Sequence, residues 1–197
     1  LFPKDDCNRL HYYLPEFGLD ITFHPMDFTQ INGAINRSIV SRAVQMLDLS
    51  DKDTVLDLFC GLGNFTLPIA LRAGKVIGIE GSREMVERGA ENALNNNIAN
   101  TAFYAADLTS PIEKENWYQK NYSKILLDPP RSGAIEIIPQ IARLRAAKIV
   151  YISCNPATLA RDTAELLKYG YRLNSAGVMD MFPHTTHVES MAEFLLI

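Results

Sequence analysis

Three polar segments of the sequence each follow a short apolar run, and each carries side chains of the types that act in catalysis. They are DLFCGLGNF (57–65), DPPR (128–131) and SCNP (153–156). A short apolar run before a turn is typical of a buried strand, so we expect all three segments at strand ends. In α/β folds the carboxyl edge of the sheet is where ligands bind.

Segment 57–65 has the composition of a ligand-binding turn between a strand and a helix. Gly61 and Gly63 permit a tight turn and let backbone N–H groups approach a ligand closely. Glu80 ends the next apolar run, where a carboxylate can accept hydrogen bonds from both ribose hydroxyls. A dinucleotide motif would need a third glycine where Thr66 stands. The pattern favours S-adenosylmethionine over NAD, the alternative being glycines that only form a turn.

Segment 128–131 contains two consecutive prolines, which stop a helix or a central strand and hold the backbone in a stiff extended turn. Asp128 then stands at a strand end and faces the expected pocket. Methyltransferases that act on exocyclic amines often carry an aromatic residue after Pro-Pro. Here Arg131 follows, and its guanidinium suits a phosphate or a base edge. The alternative is a turn that is only stiffened.

Cys154 is the best nucleophile candidate among three cysteines. Cys60 shares the glycine turn, and Cys7 lies outside the pattern of strands and helices. A lone cysteine is most often a small buried apolar residue, but Cys154 falls between a strand and a helix. We expect the helix dipole to lower the pKa of its thiol and to favour the thiolate.

Segment 180–189 (DMFPHTTHVE) contains two histidines and a glutamate between the last two predicted strands. Zinc binding is one interpretation, but His184 and His187 have no further Cys or His cluster to complete a site. A polar loop exposed to solvent is another. This segment alone decides nothing, and no metal site is predicted.

The elements that position these segments alternate between strands and helices. Strands are predicted at 55–59, 76–80, 102–106, 124–127 and 149–153, and helices at 30–49, 65–72, 83–95, 135–144 and 158–168. Residues 11–23 predict two short β segments, and 172–181 with 191–197 predict a closing antiparallel pair. Alternating strands and helices imply an α/β fold, a doubly wound and mostly parallel sheet.

Composition fits one domain of 197 residues with 47% hydrophobic residues and no apolar run long enough to span a bilayer. Three separated cysteines exclude a disulfide framework and indicate a reducing, cytoplasmic setting. The net charge of −4 argues by itself against nucleic-acid binding. The start, LFPKDD, has neither an initiator Met nor a signal peptide, so we expect a segment of a longer protein.

Five motifs occur together in this order: FTQIN (28–32), DLFCGLGNF (57–65), DPPR (128–131), SCNP (153–156) and HVE (187–189). As a set they resemble the RNA uracil-5-methyltransferase family over residues 19–197. The longer segments SCNPATLARD (153–162) and DMFPHTTHVESM (180–191) are most similar to its 23S ribosomal RNA branch. The resemblance implies a Rossmann-like S-adenosylmethionine-dependent domain at 30–197, after an N-terminal extension at 1–29.

The resemblance also implies residue roles. Cys154 is expected as the nucleophile that adds to carbon 6 of uracil, and Glu189 as the general base, while Arg131 is a candidate for substrate contact. The residues expected to contact S-adenosylmethionine are Gln30, Phe59, Asn64, Glu80, Asp107 and Asp128. Position 107 departs from the ribosomal branch, which commonly has Asn there.

Members of the ribosomal branch carry an RNA-binding β-barrel and a cysteine-rich iron–sulfur site before the catalytic domain. The sequence lacks that cysteine spacing. We therefore expect an iron–sulfur cluster only in a preceding part of the parent protein, and we expect that part to supply basic RNA-binding surface. The expected partner is RNA, 23S rRNA in particular, and the chain is expected to be monomeric and not to bind membranes.

Four other functions remain as alternatives. Uridine methylation on tRNA would use the same residues. Methylation of an amine on adenine or protein is disfavoured by Arg131 and by the pair of Cys154 and Glu189. An S-adenosylmethionine-fold module that binds RNA without turnover would not need that pair. A zinc deaminase would need a Cys-x-x-Cys motif, which the sequence lacks.

Overall fold

The computed structural model describes residues 9–118, 121–181 and 188–197. No helix in this part of the chain is both long and apolar enough to cross a membrane. The elements, in chain order, are β1 (Leu10–Leu14), β2 (Leu19–Phe23), α1 (Gly33–Leu47), β3 (Thr54–Leu58), α2 (Thr66–Ala70), β4 (Lys75–Glu80), α3 (Arg83–Asn95), β5 (Thr101–Ala105), β6 (Lys124–Leu127), α4 (Ile138–Ala142), β7 (Lys148–Ser153), α5 (Pro156–Lys168), β8 (Tyr171–Met179) and β9 (Glu189–Leu196).

Seven strands form one sheet in the order β5-β4-β3-β6-β7-β9-β8. Strands β3 to β7 pair in parallel, whereas β9 runs antiparallel to both β7 and β8. The chain first builds outward from β3 through β4 to β5, then returns to place β6 on the other side of β3. The strand order therefore reverses between β3 and β6, where such sheets bind ligands. The predicted sheet and its closing antiparallel pair are confirmed.

The central strands β3, β4, β6 and β7 are buried on both faces, as expected for parallel strands covered by crossover helices. Alternate residues of β3 point to opposite layers. Val55 packs into the core that contains α1, α2 and the β1–β2 hairpin, whereas Leu56 and Leu58 pack into the core that contains α4 and α5. Packing on both faces holds the central strands in register, and with them the ends of these strands.

Side-chain caps fix where the long helices begin. Asn32 accepts a hydrogen bond from Ile35 N before α1, Ser82 from Met85 N before α3, and Asn155 from Ala157 N before α5. Such caps satisfy backbone N–H groups that have no partner within the helix. The predicted bounds of α3 agree with the structure.

Three predicted helices are longer than those in the structure. The helix predicted from position 30 begins at Gly33, because Asn32 caps it. The helix predicted at 65–72 ends at Ala70. A tighter turn follows, in which Arg72 N–H donates a hydrogen bond to Ile69 O. The helix predicted at 135–144 is confined to Ile138–Ala142, because the preceding turn is held by a long-range hydrogen bond at Ala134.

The β1–β2 hairpin is attached to α3 by asparagine side chains. Asn92, which is fully buried, accepts hydrogen bonds from the backbone N–H and the hydroxyl of Thr22 at 2.9 and 2.7 Å. Its amide nitrogen donates to the carbonyls of Thr22 and Leu62, both at 3.1 Å. One turn later Asn96 exchanges hydrogen bonds with the backbone of Asp20. A single helix face thereby ties the hairpin to the glycine turn.

We predict that Asn92→Ala lowers the free energy of unfolding by about 2–4 kcal/mol, because it leaves several buried polar groups unpaired. Asn96→Ala is the matched control on the same helix face, and its cost should stay below about 1 kcal/mol since water can replace an exposed partner. Urea denaturation of both variants measures the difference. Equal losses would mean that Asn92 does not anchor the hairpin.

Candidate active site

A cavity of about 810 Å³ lies at the carboxyl ends of β3, β4, β6 and β7. It is therefore located where the strand order reverses. Of the nine site residues predicted from the sequence, the structure brings eight to its lining: Gln30, Phe59, Asn64, Glu80, Asp128, Arg131, Cys154 and Glu189.

Asp107 does not join the other eight predicted residues in this lining. It follows β5, and its carboxylate accepts hydrogen bonds from the N–H and hydroxyl of Thr109 and from the hydroxyl of Ser110. These donors lower the pKa of Asp107, the hydroxyl of Thr109 most of all. The side chain thus folds back onto its own turn, which spacing along the sequence could not reveal.

The glycine turn after β3 uses backbone conformations that few residues adopt. Gly61 and Gly63 have φ values of 54° and 96°, and Phe59 has a φ of 62°. Gly61 N–H donates to Glu80 Oε2 at 3.1 Å, and Ser82 N–H donates to Glu80 Oε1 at 3.0 Å. Each carboxylate oxygen has a further lone pair for a ligand. The turn and Glu80 are consequently held together as one unit.

Asn64 is held by two side chains that the sequence did not single out. Tyr12 of β1 donates its hydroxyl hydrogen to Asn64 Oδ1 at 2.8 Å. Asn36 of α1 exchanges two hydrogen bonds of 3.0 Å with the same amide. Burial raises the pKa of Tyr12, so its hydroxyl stays a donor. Tyr12 also lines the cavity, and only the fold brings this hairpin residue there.

Segment 26–30, which carries Gln30, is fixed by a charged pair. Asp27 forms an ion pair with Arg88 of α3, and both side chains are largely buried. The Asp27 carboxylate also accepts a hydrogen bond from His24 N at 2.7 Å. Phe28 lines the cavity yet is 76% exposed. The segment thus presents an aromatic face to solvent at the edge of the cavity.

Asp57 lies in β3 below the glycine turn and is completely buried. Burial raises the pKa of Asp57 to about 7, and the Thr66 hydroxyl, which donates to it at 2.6 Å, acts in the opposite direction. The hydrogen bond attaches the start of α2 to the strand that precedes the turn. The sequence of β3 (TVLDL) shows a single acidic residue at position 57, but it does not show that this residue is buried.

Cys154 stands between the end of β7 and the cap of α5. The Ser153 hydroxyl accepts from Asn155 N–H at 3.1 Å and donates to Asn155 O at 3.0 Å. Asn155 Oδ1 accepts from Ala157 N–H at 3.1 Å. The residues on both sides of the thiol are therefore immobilised, and the thiol itself is partly exposed to the cavity.

The expectation of a lowered pKa for Cys154 is wrong. Desolvation by burial and the negative charges of Glu189 and Asp128 raise the pKa of the thiol, and the positive charge of Arg131 offsets this only in part. Burial also raises the pKa of Glu189 and, together with the charge of Glu189, that of Asp128. The cavity thus holds two carboxyl groups and a thiol whose pKa values are all raised by their surroundings.

Metal binding has no visible basis in the described ranges, where no three His, Cys, Asp or Glu residues cluster closely enough to hold an ion. The two histidines that raised the possibility of zinc, His184 and His187, lie outside the described residues.

The fold and cavity define a class: the Rossmann-like domain of S-adenosylmethionine-dependent methyltransferases. One similar solved structure is that of M. jannaschii TYW2 in complex with AdoMet. It matches with a TM-score of 0.71 at 18% identity and covers 100% of this chain and 90% of that one. An identity this low shows the fold alone.

The chain belongs to the tRNA (uracil-5-)-methyltransferase family, whose model matches residues 19–195. Curated 23S rRNA (uracil(1939)-C(5))-methyltransferases RlmD are similar to it. That of Alcanivorax borkumensis is 57% identical over 98% of this chain, and that of Hahella chejuensis is 56% identical over 98%. The chain spans 44% of the length of each. The resemblance to this family and to its ribosomal branch is confirmed.

The chain is also similar to a solved structure with a higher identity. The tRNA (uracil-54, C5)-methyltransferase of Pyrococcus abyssi, in complex with S-adenosyl-L-homocysteine, has a TM-score of 0.81 and 29% identity. The match covers 95% of this chain and 44% of that protein.

We predict that alkylation of Cys154 by iodoacetamide accelerates with pH to beyond pH 9, because its raised pKa leaves little thiolate at neutral pH. Glu189→Gln removes a negative charge that raises this pKa and should speed alkylation at pH 8 by about threefold or more. Peptide mass spectrometry after timed quenching measures the rate at Cys154. A plateau below pH 8 would contradict the electrostatics described above.

Proposed function

We propose that this chain is the catalytic domain of an RNA methyltransferase that transfers a methyl group from S-adenosylmethionine to carbon 5 of a uridine in 23S rRNA. The observation that carries the proposal is the presence of Cys154 and Glu189, from separate strands, in one cavity with the glycine turn and Glu80. The names of curated relatives at 50–57% identity support the reaction and the substrate.

The lining suits a cofactor that carries a ribose and a positive charge. Its charged residues are mostly acidic, with Arg131 the basic one among them: Asp27, Glu80, Glu84, Asp128 and Glu189. Asp27 is neutralised by Arg88, but the others give the cavity a negative potential that favours a sulfonium. A side chain at Gly61 would project into this lining, at 3.7 Å from Met85 Cε. The absence of a side chain at Gly61 lets a ligand approach the backbone closely.

Individual residues would hold different parts of this cofactor. Glu80 would accept hydrogen bonds from the ribose hydroxyls through lone pairs that Gly61 and Ser82 leave free. Asn64, already oriented by Tyr12, would direct an amide hydrogen at a polar group of the cofactor. Gln30, Phe59 and Asp128 complete the proposed set, and Asp107 stays a prediction without support from the geometry.

S-adenosylmethionine supplies an electrophilic methyl group when bound, but carbon 5 of uracil is too weak a nucleophile to accept it unaided. The Cys154 thiolate would form a bond to carbon 6, which places the electron pair of the 5,6 double bond in an enolate and makes carbon 5 nucleophilic. After methylation, the Glu189 carboxylate would remove the carbon 5 proton. The double bond then re-forms as the carbon 6–sulfur bond breaks and the thiolate leaves.

The raised pKa values of Cys154 and Glu189 fit a site that is active only when cofactor and substrate are bound. Glu189 must be ionised to act as a base, and Cys154 must be ionised to add to the ring. A cation bound close to them would favour both charged forms. Arg131, whose charge lowers the pKa of the thiol, would contribute to the same shift and is a candidate contact for the uridine.

The uridine must leave its base stack to reach Cys154. Phe28, exposed at the edge of the cavity, offers an aromatic face on which an unpaired base could stack. The net charge of −4 indicates that this chain contributes little to phosphate binding. We therefore propose that most of the RNA affinity of the whole protein resides outside residues 1–197.

A uridine in tRNA is the second candidate substrate, because the Pyrococcus abyssi protein acts on tRNA. Its 29% identity is well below the 57% of the ribosomal relative. Mass spectrometry of 5-methyluridine in 23S rRNA and in tRNA, from cells that lack the gene, distinguishes the two. Loss from 23S rRNA is expected, and loss from tRNA alone would overturn the proposed substrate.

We predict that Glu80→Ala weakens binding of S-adenosylhomocysteine by about 1–3 kcal/mol, the usual cost of losing a hydrogen bond to a charged group. Glu87→Ala is the control, because Glu87 is exposed on α3, the helix that follows Glu80, and does not line the cavity. Isothermal calorimetry measures both. A folded wild-type chain that binds no S-adenosylhomocysteine would refute the assigned cofactor.

We predict that the two proposed catalytic residues fail at different steps. Cys154→Ala should neither methylate RNA nor cross-link to it, because no adduct can form. Glu189→Gln should transfer the methyl group but release the product slowly, so that an RNA–protein complex survives denaturing electrophoresis. These experiments use the full-length parent protein, because most of the RNA affinity is proposed to lie outside residues 1–197. Wild type should form a similar complex with RNA that carries 5-fluorouridine, since no proton can then be removed from carbon 5.

The wild-type 5-fluorouridine complex is the positive control for this pair. Activity in Cys154→Ala would exclude covalent catalysis, and wild-type turnover in Glu189→Gln would exclude Glu189 as the base. A chain that binds S-adenosylmethionine but forms no complex in any of these experiments would instead be a binding module without turnover.

A further inference from the structure

Helix α5 begins two residues after Cys154 and also holds the turn that follows Arg131. Asp162 of this helix is completely buried. Its Oδ2 accepts a hydrogen bond of 2.7 Å from Ala134 N–H and one of 2.6 Å from the Tyr151 hydroxyl. Asp162 ends the segment SCNPATLARD (153–162), but no role is predicted for it from the sequence and the proposed chemistry does not use its carboxylate.

Two further side chains of the same helix contact the same turn. Arg161 donates from Nε to Asp162 Oδ1 at 2.8 Å and from Nη2 to Ser132 O at 2.8 Å. Asn155, the cap of α5, donates from Nδ2 to Arg131 O at 3.2 Å. The backbone of residues 131, 132 and 134 is therefore bound by three side chains of one helix end.

Gly133 shows how closely the turn approaches the helix. Its φ is 81°, and a Cβ atom there would lie 2.5 Å from Arg161 Nη2 and 2.6 Å from Asp162 Oδ2. No side chain fits at such distances without displacing one of these groups. The turn is thus seated directly on the Arg161–Asp162 pair.

We propose that Asn155, Arg161 and Asp162 are positioning residues, a brace that fixes the turn carrying Arg131 against the loop carrying Cys154. The consequence for methyl transfer rests on the function proposed above, whereas the effect on the environment of Cys154 does not. In this arrangement the Cys154 thiol and the Arg131 guanidinium lie in one cavity because a single helix, α5, holds both of their loops.

Arg131 depends on the brace more than Asp128 does. Asp128 directly follows β6, and its N–H donates to Leu58 O at 3.3 Å, so the sheet itself holds it. Arg131 lies three residues further along the turn. The charged groups that act on Cys154 are Glu189, Arg131 and Asp128, and Arg131 is the one that lowers the pKa of the thiol. A loosened brace would remove this favourable charge and leave both carboxylates in place.

The experiment compares Asp162→Asn with Tyr151→Phe in the purified chain. Both variants disturb the same buried carboxylate, but only Asp162→Asn removes the anion that binds Ala134 N–H and Arg161. We expect Asp162→Asn to slow iodoacetamide alkylation of Cys154 at pH 8 by about threefold or more, as the pKa of the thiol rises. Tyr151→Phe should change the rate by less than about 1.5-fold.

Binding of S-adenosylhomocysteine separates positioning from general loosening. Its dissociation constant should change by less than about twofold in Asp162→Asn, because Glu80 and Asn64 lie at other strand ends. The rate of trapping by 5-fluorouridine RNA should fall by about tenfold or more, since small misplacements of reacting groups slow catalysis strongly. Arg161→Gln, at a side chain 44% exposed, is a second variant with the same expected directions if Asp162→Asn does not fold.

Alkylation in Asp162→Asn at the wild-type rate would overturn the brace, as would equal slowing in Tyr151→Phe. Full-length wild-type protein that traps no 5-fluorouridine RNA would refute the proposed function instead, and the alkylation rates of the purified chain would still decide whether the brace exists.

Discussion

The parallel register of β4, β3, β6 and β7 is the constraint on which the cavity depends. Because these strands pair in parallel, their carboxyl ends emerge along one edge of the sheet. Each end then carries one polar group into the space left by the reversal of strand order. Glu80, Asp128 and Cys154 thus meet without any specific attraction between them. Strand β9, running the other way, contributes Glu189 from its first residue.

That convergence has an electrostatic cost, because groups of like charge share a poorly solvated space. Burial raises the pKa of Glu189, and burial together with the charge of Glu189 raises the pKa values of Cys154 and Asp128. Such perturbed groups cluster at functional sites more often than elsewhere. Several hydrogen bonds around the cavity hold polar side chains in fixed positions. The pair of Asn64 and Asn36, the caps and the bonds around Asp162 all have this effect.

Sequence patterns predicted most of the fold and eight of nine site residues in the cavity, because both depend on local order. An apolar run followed by a polar turn can be recognised within one short segment of the sequence. The run 149–152 before Cys154 is an example. What the sequence could not show depends on contacts between distant segments. Tyr12 reaches the cavity only because Asn92 holds the hairpin, and Asp107 misses it because its own turn supplies donors. The helix that follows Cys154 predicts a lowered pKa for the thiol. The structure shows the opposite direction, because burial and the charge of Glu189, a residue distant in sequence, raise this pKa.

The hairpin has a consequence for how the cavity opens. Tyr12 supports Asn64 from β1, while the hairpin is anchored on α3 through Thr22 and Asn92. Any fluctuation that detaches the hairpin also withdraws one wall of the cavity, so the two form a single cooperative unit. By thermodynamic reciprocity, a ligand that needs this wall must stabilise the hairpin by the same free energy. Occupancy of the cavity would therefore be visible at a distance, as slower hydrogen exchange at the backbone amides of Asp20 and Thr22.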